Sequence, residues 1–111
     1  MKGESTLPII EVNDRNFAVE VRKHEVVIVD FWAPWCAPCR MIAPVLEALS
    51  QENGLTVLKL NVDRNPYVAG QYRIMSIPTM MVFKNGLPAE TLVGYMPKDV
   101  LKRRLQPYFI A

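Results

Sequence analysis

The two cysteines of the chain, Cys36 and Cys39, lie three residues apart. The apolar, β-rich run of residues 26–32 precedes them, and apolar residues at helical spacing follow over residues 41–49. This pattern predicts a strand-to-helix turn at the cysteines, and a Cys-x-x-Cys pair at such a turn is suited to thiol–disulfide exchange. The pair therefore indicates redox chemistry.

The predicted helix gives the two sulfurs different roles. Cys36 would lie at or just before the helix N-terminus, where free N–H groups and the positive end of the helix dipole stabilise a thiolate. We expect its sulfur to be exposed and to attack a substrate disulfide as the nucleophile. Cys39 would lie one turn deeper on the same side and resolve the resulting mixed disulfide. Pro38 is tolerated in the first turn because its missing N–H would have no helical partner there.

Three other uses of a cysteine pair explain less of the pattern. A structural disulfide at this spacing would close a short loop worth roughly 2 kcal/mol, and the cytosol would keep it reduced. A zinc site usually has four ligands, whereas the chain offers this pair and one histidine, His24. A c-type haem site needs histidine directly after the second cysteine, where Arg40 stands. We therefore predict no metal site.

Asp30 is the second candidate for chemistry because it interrupts an apolar strand. A buried carboxylate is costly unless it is paired or neutralised, and desolvation should raise its pKa. Asp30 is thus a candidate proton acceptor for Cys39. The alternative is a strand-end aspartate whose oxygens are satisfied by the backbone.

Length, charge and the chain ends limit the class of protein. The 111 residues, half of them hydrophobic, predict a single domain over residues 1–111, with residues 1–7 as a loose extension. A net charge of +2 gives no case for nucleic-acid binding. The N-terminus does not resemble a secretory signal, and no apolar run is long enough to span a membrane. We expect a cytoplasmic monomer that binds neither nucleic acid nor membrane.

The elements needed to position these residues follow the order β-α-β-α-β-α-β-β-α. Strands are predicted at residues 7–12, 26–31, 55–61, 79–84 and 87–93. Helices are predicted after a cap at Asn13 or Asp14, from the cysteines to Asn53 and Gly54, over residues 66–72, and from about Pro97. The first would turn Phe17, Ala18 and Val21 inward, and in the last Asp99 and Arg103 would form a weak i,i+4 pair. Early crossovers call for parallel strands, and Asn85-Gly86 indicates a closing hairpin. The economical arrangement is an α/β fold with helices on both faces of a mixed sheet.

Residues 29–39, with the sequence VDFWAPWCAPC, resemble the signature of the thioredoxin family, and residues 76–79, SIPT, resemble its second active-site segment. Residues 59–63 and 83–86 also match the family pattern. The similarity spans about residues 8 to 109. It implies the thioredoxin fold, a five-stranded mixed sheet flanked by four helices, and the activity of a protein-disulfide reductase.

The resemblance also implies roles for further residues. Pro78 would be cis beside the cysteines and present the backbone of Ile77 to an extended substrate. Lys59 would lie close enough to tune Asp30, and Trp32 would pack beneath the active-site loop. The substrate-binding residues implied in this way are Trp35, Ala37, Pro38, Ile77, Pro78, Val93 and Gly94.

Two positions depart from the family pattern. Ala37 stands where glycine is usual, and Tyr95 follows Gly94 where a small residue is usual. We expect activity to survive, with a changed potential or partner choice. The family implies no bound cofactor, electrons drawn indirectly from NADPH through thioredoxin reductase, and disulfide-containing proteins as substrates. An oxidase or isomerase on the same fold, and a non-enzymatic binding module using the same groove, are the alternative functions.

Overall fold

The computed structural model describes residues 9–109, and over this range the elements follow the predicted order. The strands are β1 (Ile9–Val12), β2 (Val26–Trp32), β3 (Thr56–Asn61), β4 (Thr79–Lys84) and β5 (Leu87–Val93). The helices are α1 (Phe17–Arg22), α2 (Ala37–Asn53), α3 (Pro66–Gln71) and α4 (Lys98–Leu105), followed by a short 3-10 helix, Gln106–Tyr108. The predicted extension at residues 1–7 and the start of the predicted first strand lie outside the described residues.

The strands form one mixed sheet in the order β1-β3-β2-β4-β5. β1 and β2 both run parallel to β3, whereas β4 is antiparallel to β2 and to β5. The predicted mixed sheet and the implied five strands and four helices are therefore confirmed. Strand β2 is central and almost wholly buried, which fits its continuous apolar sequence. The two strands beside it place Lys59 and Met80 opposite Asp30.

Each face of the sheet carries its own apolar core. We call them the α1/α3 face and the α2/α4 face after the helices that cover them. The α1/α3 face contains Val12, Phe17, Val21, Val27, Val29, Phe31, Leu58, Leu60, Val68, Met81 and Phe83. The α2/α4 face contains Ile28, Ile42, Leu46, Leu49, Leu55, Val57, Met80, Val82, Leu92, Leu101 and Leu105. Alternate residues of β2 serve opposite faces, as the strand geometry requires.

The predicted cap of α1 is wrong, because neither Asn13 nor Asp14 occupies that position. The N-cap is Asn16, whose side chain makes no capping hydrogen bond. Asn13 instead closes a turn, since its Oδ1 accepts from the N–H of Asn16 at 2.9 Å. Asp14 caps α3, where its two carboxylate oxygens accept from the N–H groups of Tyr67 and Val68 at 3.0 and 2.9 Å. The polar residues before α1 thus stabilise a distant helix.

The inward face of α1 differs from the prediction at one residue. Phe17 and Val21 are buried as expected, four residues apart on one side of the helix. Ala18, predicted to face inward, is exposed. Because α1 has only six residues, one buried side suffices to attach it to the sheet.

The predicted turns are confirmed by their backbone angles. Asn85 and Gly86 join β4 to β5 with φ values of 52° and 83°, the left-handed pair that a tight hairpin requires. Gly54 ends α2 with φ 68°, and its N–H donates to the carbonyl of Ser50. These residues set the ends of the elements that surround the cysteines.

Candidate active site

The cysteines lie where β2 passes into α2, as predicted. Cys36 is the N-cap of α2, and its Sγ accepts from the N–H of Cys39 at 3.2 Å. Pro38 occupies the first turn of the helix. The two sulfurs form a disulfide in this structure. A thiolate at Cys36 would receive the same N–H and the positive end of a 17-residue helix, which lowers the pKa of a thiol.

The expected exposure of the Cys36 sulfur is not observed. Cys36 is only 4% exposed, and Cys39 is 3% exposed. Ala33 packs with both cysteines, and Trp32, Val62 and Ile77 pack against this cluster. The Cys36 Sγ also lies 3.8 Å from the carbonyl oxygen of Ile77. A substrate disulfide must therefore reach a sulfur that is almost completely covered, and the contacts around Cys36 can select how that disulfide is presented.

The segment before β4 lies beside the disulfide, as the resemblance implied. The Ile77–Pro78 peptide bond is cis. The carbonyl oxygen of Pro78 accepts from the N–H of Gly94 at 2.8 Å, and Val93 lies opposite Thr79 in the β4–β5 pairing. The structure thus brings Ile77, Pro78, Val93 and Gly94 together on one side of Cys36.

Exposed apolar side chains surround this region. Trp35 is 67% exposed, and Val93, Tyr95 and Met75 are also exposed. Large exposed apolar residues at such a density are typical of a binding surface. Ala37 and Pro38 are exposed at the start of α2, so the predicted substrate-binding residues before and after Cys36 are open to a partner.

Two polar contacts hold the active-site loop. The Trp35 indole Nε1 donates to a carboxylate oxygen of Asp63 at 2.8 Å. Arg40, in the first turn of α2, donates from Nη1 to the carbonyl oxygen of Pro34 at 2.8 Å. The first contact orients an exposed ring, and the second ties the loop to the helix that follows it.

Asp30 is fully buried, and neither of its carboxylate oxygens has a hydrogen-bond partner among the described residues. Burial raises the pKa of Asp30 from 3.8 to about 6, although Lys59 opposes the increase and Glu11 adds to it. The alternative of an aspartate satisfied by the backbone is therefore wrong. At neutral pH a group with this pKa can both accept and release a proton.

Lys59 lies opposite Asp30 in the sheet, but its ammonium group has a second attraction. The Nζ atom lies 4.8 Å from the centroid of the Trp32 ring, within cation–π range. The indole Nε1 of Trp32 is buried without a hydrogen-bond partner among residues 9–109. Trp32 thus packs beneath the loop, as predicted, and also holds the cation that faces Asp30.

No role at the site was predicted for Arg40, Asp63 or Glu11. Asp63 belongs to a segment that matches the family pattern, and this match could have indicated a functional role, such as its hydrogen bond with Trp35. Arg40 directly follows Cys39 in the sequence. Its side chain donates to the backbone carbonyl of Pro34, and residue types alone do not indicate such a contact. Glu11 acts only through strand pairing, so a local pattern could not identify it.

Three further findings concern alternative functions. Within residues 9–109, no cluster of three or more His, Cys, Asp or Glu side chains is arranged to hold a metal ion. His24 is half-buried in the turn before β2, at the opposite end of that strand from the cysteines. In the same range, no helix has the length and apolar character needed to cross a membrane.

Dithiol–disulfide exchange is the chemistry that this arrangement supports, because two adjacent sulfurs bond to each other beside the half-buried Ile77, and the preceding strand buries an unpaired acid. The class is therefore that of thiol–disulfide exchange proteins built on a mixed α/β sheet.

Comparison with known proteins identifies the family. The family model described as thioredoxin matches residues 8–107. Thioredoxin of Bacillus subtilis is 50% identical over 98 residues, covering 86% of this chain and 93% of the relative. Thioredoxin of Synechocystis is 50% identical over 101 residues, covering 88% and 94%. A mutant thioredoxin from Halobacterium salinarum superposes with a TM-score of 0.87 at 31% identity, covering 98% of both chains.

The chain belongs to the thioredoxin family. It is a protein thiol–disulfide oxidoreductase that reduces protein disulfides through the redox-active pair Cys36 and Cys39. Thioredoxins carry no bound cofactor, and their typical partners are a thioredoxin reductase and substrate proteins.

Proposed function

We propose that Cys36 is the nucleophile and Cys39 the resolving thiol of a two-step reduction. The thiolate of Cys36 attacks one sulfur of a substrate disulfide, forms a mixed disulfide and releases the first substrate thiolate. The thiolate of Cys39 then attacks the Cys36 sulfur, which releases the second substrate thiolate. Two electrons pass to the substrate, and the Cys36–Cys39 disulfide forms. The position of Cys36 at the N-cap of α2 is the observation that carries this assignment.

Asp30 serves the second step as the proton acceptor for Cys39. The helix that begins with the cysteines covers the sheet face on which Asp30 lies, and no other described group occupies the Asp30 oxygens. A carboxyl group with a pKa of about 6 is partly protonated at neutral pH and exchanges protons readily with a thiol. Lys59 tunes this affinity because its positive charge favours the ionised carboxylate.

The substrate binds as an extended segment beside Ile77 and Pro78. Pro78 is buried and Ile77 is half-buried beside the exposed Ser76, so the backbone at Ile77 would provide the strand-like pairing, which recognises a partner largely independently of its side chains. Trp35, Ala37, Pro38, Val93 and Gly94 provide the surrounding contact surface. Because Ala37 adds a methyl group where the family has glycine, we expect it to alter partner choice rather than abolish exchange.

The oxidised pair must be reduced again to complete a cycle. We assign this step to thioredoxin reductase, which draws electrons from NADPH, with this chain as a monomeric, single-domain carrier in the cytoplasm. The net charge of +2 supports protein partners rather than nucleic acid or membrane surfaces. Trapping the thiols inside intact cells by rapid alkylation should find the pair mostly reduced.

Turnover of insulin disulfides with dithiothreitol tests the assignment directly. The wild-type chain should accelerate the reaction, Cys36→Ser should abolish the acceleration, and Cys39→Ser should trap a mixed disulfide detectable by mass spectrometry. Since the chain has two cysteines, no other thiol complicates the result. Equal rates for wild type and Cys36→Ser would favour a binding module instead.

Two measurements distinguish the remaining alternatives. A strongly oxidising reduction potential would favour an oxidase or isomerase over a reductase. Alkylation of the reduced protein at neutral pH should label Cys36 faster than an ordinary peptide thiol and faster than Cys39. The opposite order would reverse the roles of nucleophile and resolving thiol.

A further inference from the structure

Three ionisable residues lie in one row across the sheet. Strand pairing places Glu11 of β1 opposite Lys59 of β3, and Lys59 opposite Asp30 of β2. Paired residues of adjacent strands point to the same face, and the strands are about 4.8 Å apart. The side chains of the row therefore all lie on the α2/α4 face, in the order carboxylate (Glu11), ammonium group (Lys59) and carboxylate (Asp30).

The two carboxylates of the row differ in their access to water. Asp30 is buried at the centre of the sheet, whereas Glu11 is exposed on the edge strand β1. Glu11, Trp32 and Asn61 are among the residues that line an open cavity of about 480 Å³. Lys59 lies between the two carboxylates in the row, while Arg64 lines the cavity on the side of Glu11.

Other charged groups around Asp30 are directed elsewhere. The next residues along the row, Met80 on β4 and Leu92 on β5, are apolar. Helix α2 and its N-cap contribute the two cysteines, while the charged Arg40 and Glu47 of the helix are exposed. Charges on α4 form ion pairs that join Lys98 to Glu52, Arg103 to Asp99, and Arg104 to Glu90 of β5, and the charge of Lys102 acts on Glu52. Lys59 and Glu11 are thus the charges that reach Asp30 through the sheet.

We propose that Glu11 is a positioning residue for the proton step, one that offsets Lys59 and keeps Asp30 able to hold a proton near neutral pH. The inference rests on the proposed role of Asp30. Lys59 alone would stabilise the ionised carboxylate and leave a weaker base for Cys39. Glu11 counteracts this in two ways, since it repels a second negative charge in the row and competes for the shared ammonium group.

Titration of Asp30 in the oxidised protein tests the inference without any contribution from thiols, because both cysteines are held in the disulfide. The side-chain carboxyl of Asp30 would be followed by ¹³C NMR in wild type, Glu11→Gln and Glu11→Lys. We expect its pKa to fall by about 0.5 in Glu11→Gln, as for two charges roughly 10 Å apart in a partly aqueous setting. Glu11→Lys should lower it about twice as far, and 1 M salt should shrink both differences.

Glu25→Gln is the matched control. Glu25 is exposed, and it comes directly before β2, five residues from Asp30, so its loss changes the net charge equally from the far end of that strand. This control should leave the titration of Asp30 unchanged. An unchanged Asp30 titration in both Glu11 variants, or an equal change in Glu25→Gln, would overturn the inference whatever the activity.

The pH dependence of the resolving step provides the second readout. The rate at which Cys39 clears a preformed mixed disulfide should show its midpoint displaced downward in Glu11→Gln by the same amount as the Asp30 titration. If the titration moves and the rate profile does not, Asp30 is not the proton acceptor, and the inference fails with that role. Agreement of the two displacements supports both.

Discussion

The two faces of the sheet treat buried polar groups in opposite ways. On the α1/α3 face the core is apolar, and three aromatic rings pack together, with Phe83 5.7 Å from Phe17 and 5.4 Å from Tyr72 between centroids. On the α2/α4 face, Asp30 lies among apolar residues without a hydrogen-bond partner in the described chain. Both faces belong to the same strands, so the difference is one of side chains alone.

This contrast indicates that the α1/α3 face mainly stabilises the fold, whereas the α2/α4 face carries a group suited to proton transfer. An apolar core gains from every buried surface, whereas an unpaired buried carboxylate costs several kcal/mol when charged. A sheet with a large apolar core on one face, where the buried Thr79 hydroxyl is hydrogen-bonded, can tolerate such a cost on the other. The cost is also what gives Asp30 a pKa within the working range of a thiol.

The largest effect should come from breaking the aromatic cluster. Phe83→Ala removes a fully buried ring and leaves a cavity, which should lower the free energy of unfolding by about 3–5 kcal/mol. Urea unfolding of the oxidised protein at pH 5 and pH 8 would measure it, and the loss should be the same at both. Phe83→Leu, which fills more of the space, should lose less. A loss below about 1 kcal/mol would show that the α1/α3 face is not the stabilising one.

Replacing Asp30 should produce an effect of opposite sign that depends on pH. The folded-state pKa of about 6 lies above the ordinary 3.8, so the folded protein binds more protons than the unfolded chain between these values. Stability therefore falls as pH rises from about 4 to 6 and then stays constant. Asp30→Asn should match wild type below pH 4 and be more stable by about 3 kcal/mol above pH 7.

Thermal or urea unfolding across pH 3 to 8 would show this crossover. Asp99→Asn provides the control, because it removes the same charge from a side chain that is 76% exposed. That control should change stability by less than about 0.5 kcal/mol at every pH. A pH-independent difference between wild type and Asp30→Asn would mean that Asp30 is not the group that titrates.

A smaller effect is expected at Asp14, the paired carboxylate of the α1/α3 face. It accepts from two helix N–H groups, at Tyr67 and Val68, and Asp14→Ala would leave both without that acceptor. The free energy of unfolding should fall by about 1 kcal/mol, as it does when other helix caps are removed. Asp14→Asn keeps one acceptor and should lose less. Hydrogen exchange should become faster at Tyr67 and Val68, and an unchanged rate there would contradict the capping role.

Sequence patterns predicted most of the fold because the signals are local. The apolar run of β2, the helical spacing of α2 and the Asn85-Gly86 turn each lie within one element or one turn, and the structure confirms all three. The position of Cys36 at the helix start follows from the same local pattern. These signals were sufficient to place the disulfide.

What the patterns missed depends on contacts between distant parts of the chain. The cap formed by Asp14 joins residues more than fifty positions apart, and the burial of Cys36 involves Ile77, 41 positions away. The influence of Glu11 on Asp30 passes through two strand pairings. A local pattern contains none of these distances, so on its own it identifies Asp30 and Cys36, whereas the neighbours Lys59 and Ile77 were expected only from the family resemblance.

The smallest expected effect concerns the predicted pair of Asp99 and Arg103 on α4. The structure confirms the pair, with 3.7 Å between Arg103 Nη1 and the carboxylate, but both side chains are more than 70% exposed. Solvent screens such a pair, so a double-mutant cycle of Asp99→Ala and Arg103→Ala should give a coupling below about 0.5 kcal/mol.

The pair of Arg104 and Glu90 offers a sharper comparison at the edge of the same face. Arg104 Nη2 lies 2.9 Å from Glu90 Oε2, and the Glu90 side chain is 27% exposed. The Tyr108 hydroxyl also donates to Glu90 Oε1 at 2.8 Å. Its coupling should therefore exceed that of Asp99 and Arg103, and it should fall less in 1 M salt, because a partly buried pair is screened less. Equal coupling energies would mean that burial of the carboxylate contributes nothing at this edge, and that the cost paid at Asp30 arises only in the fully buried interior.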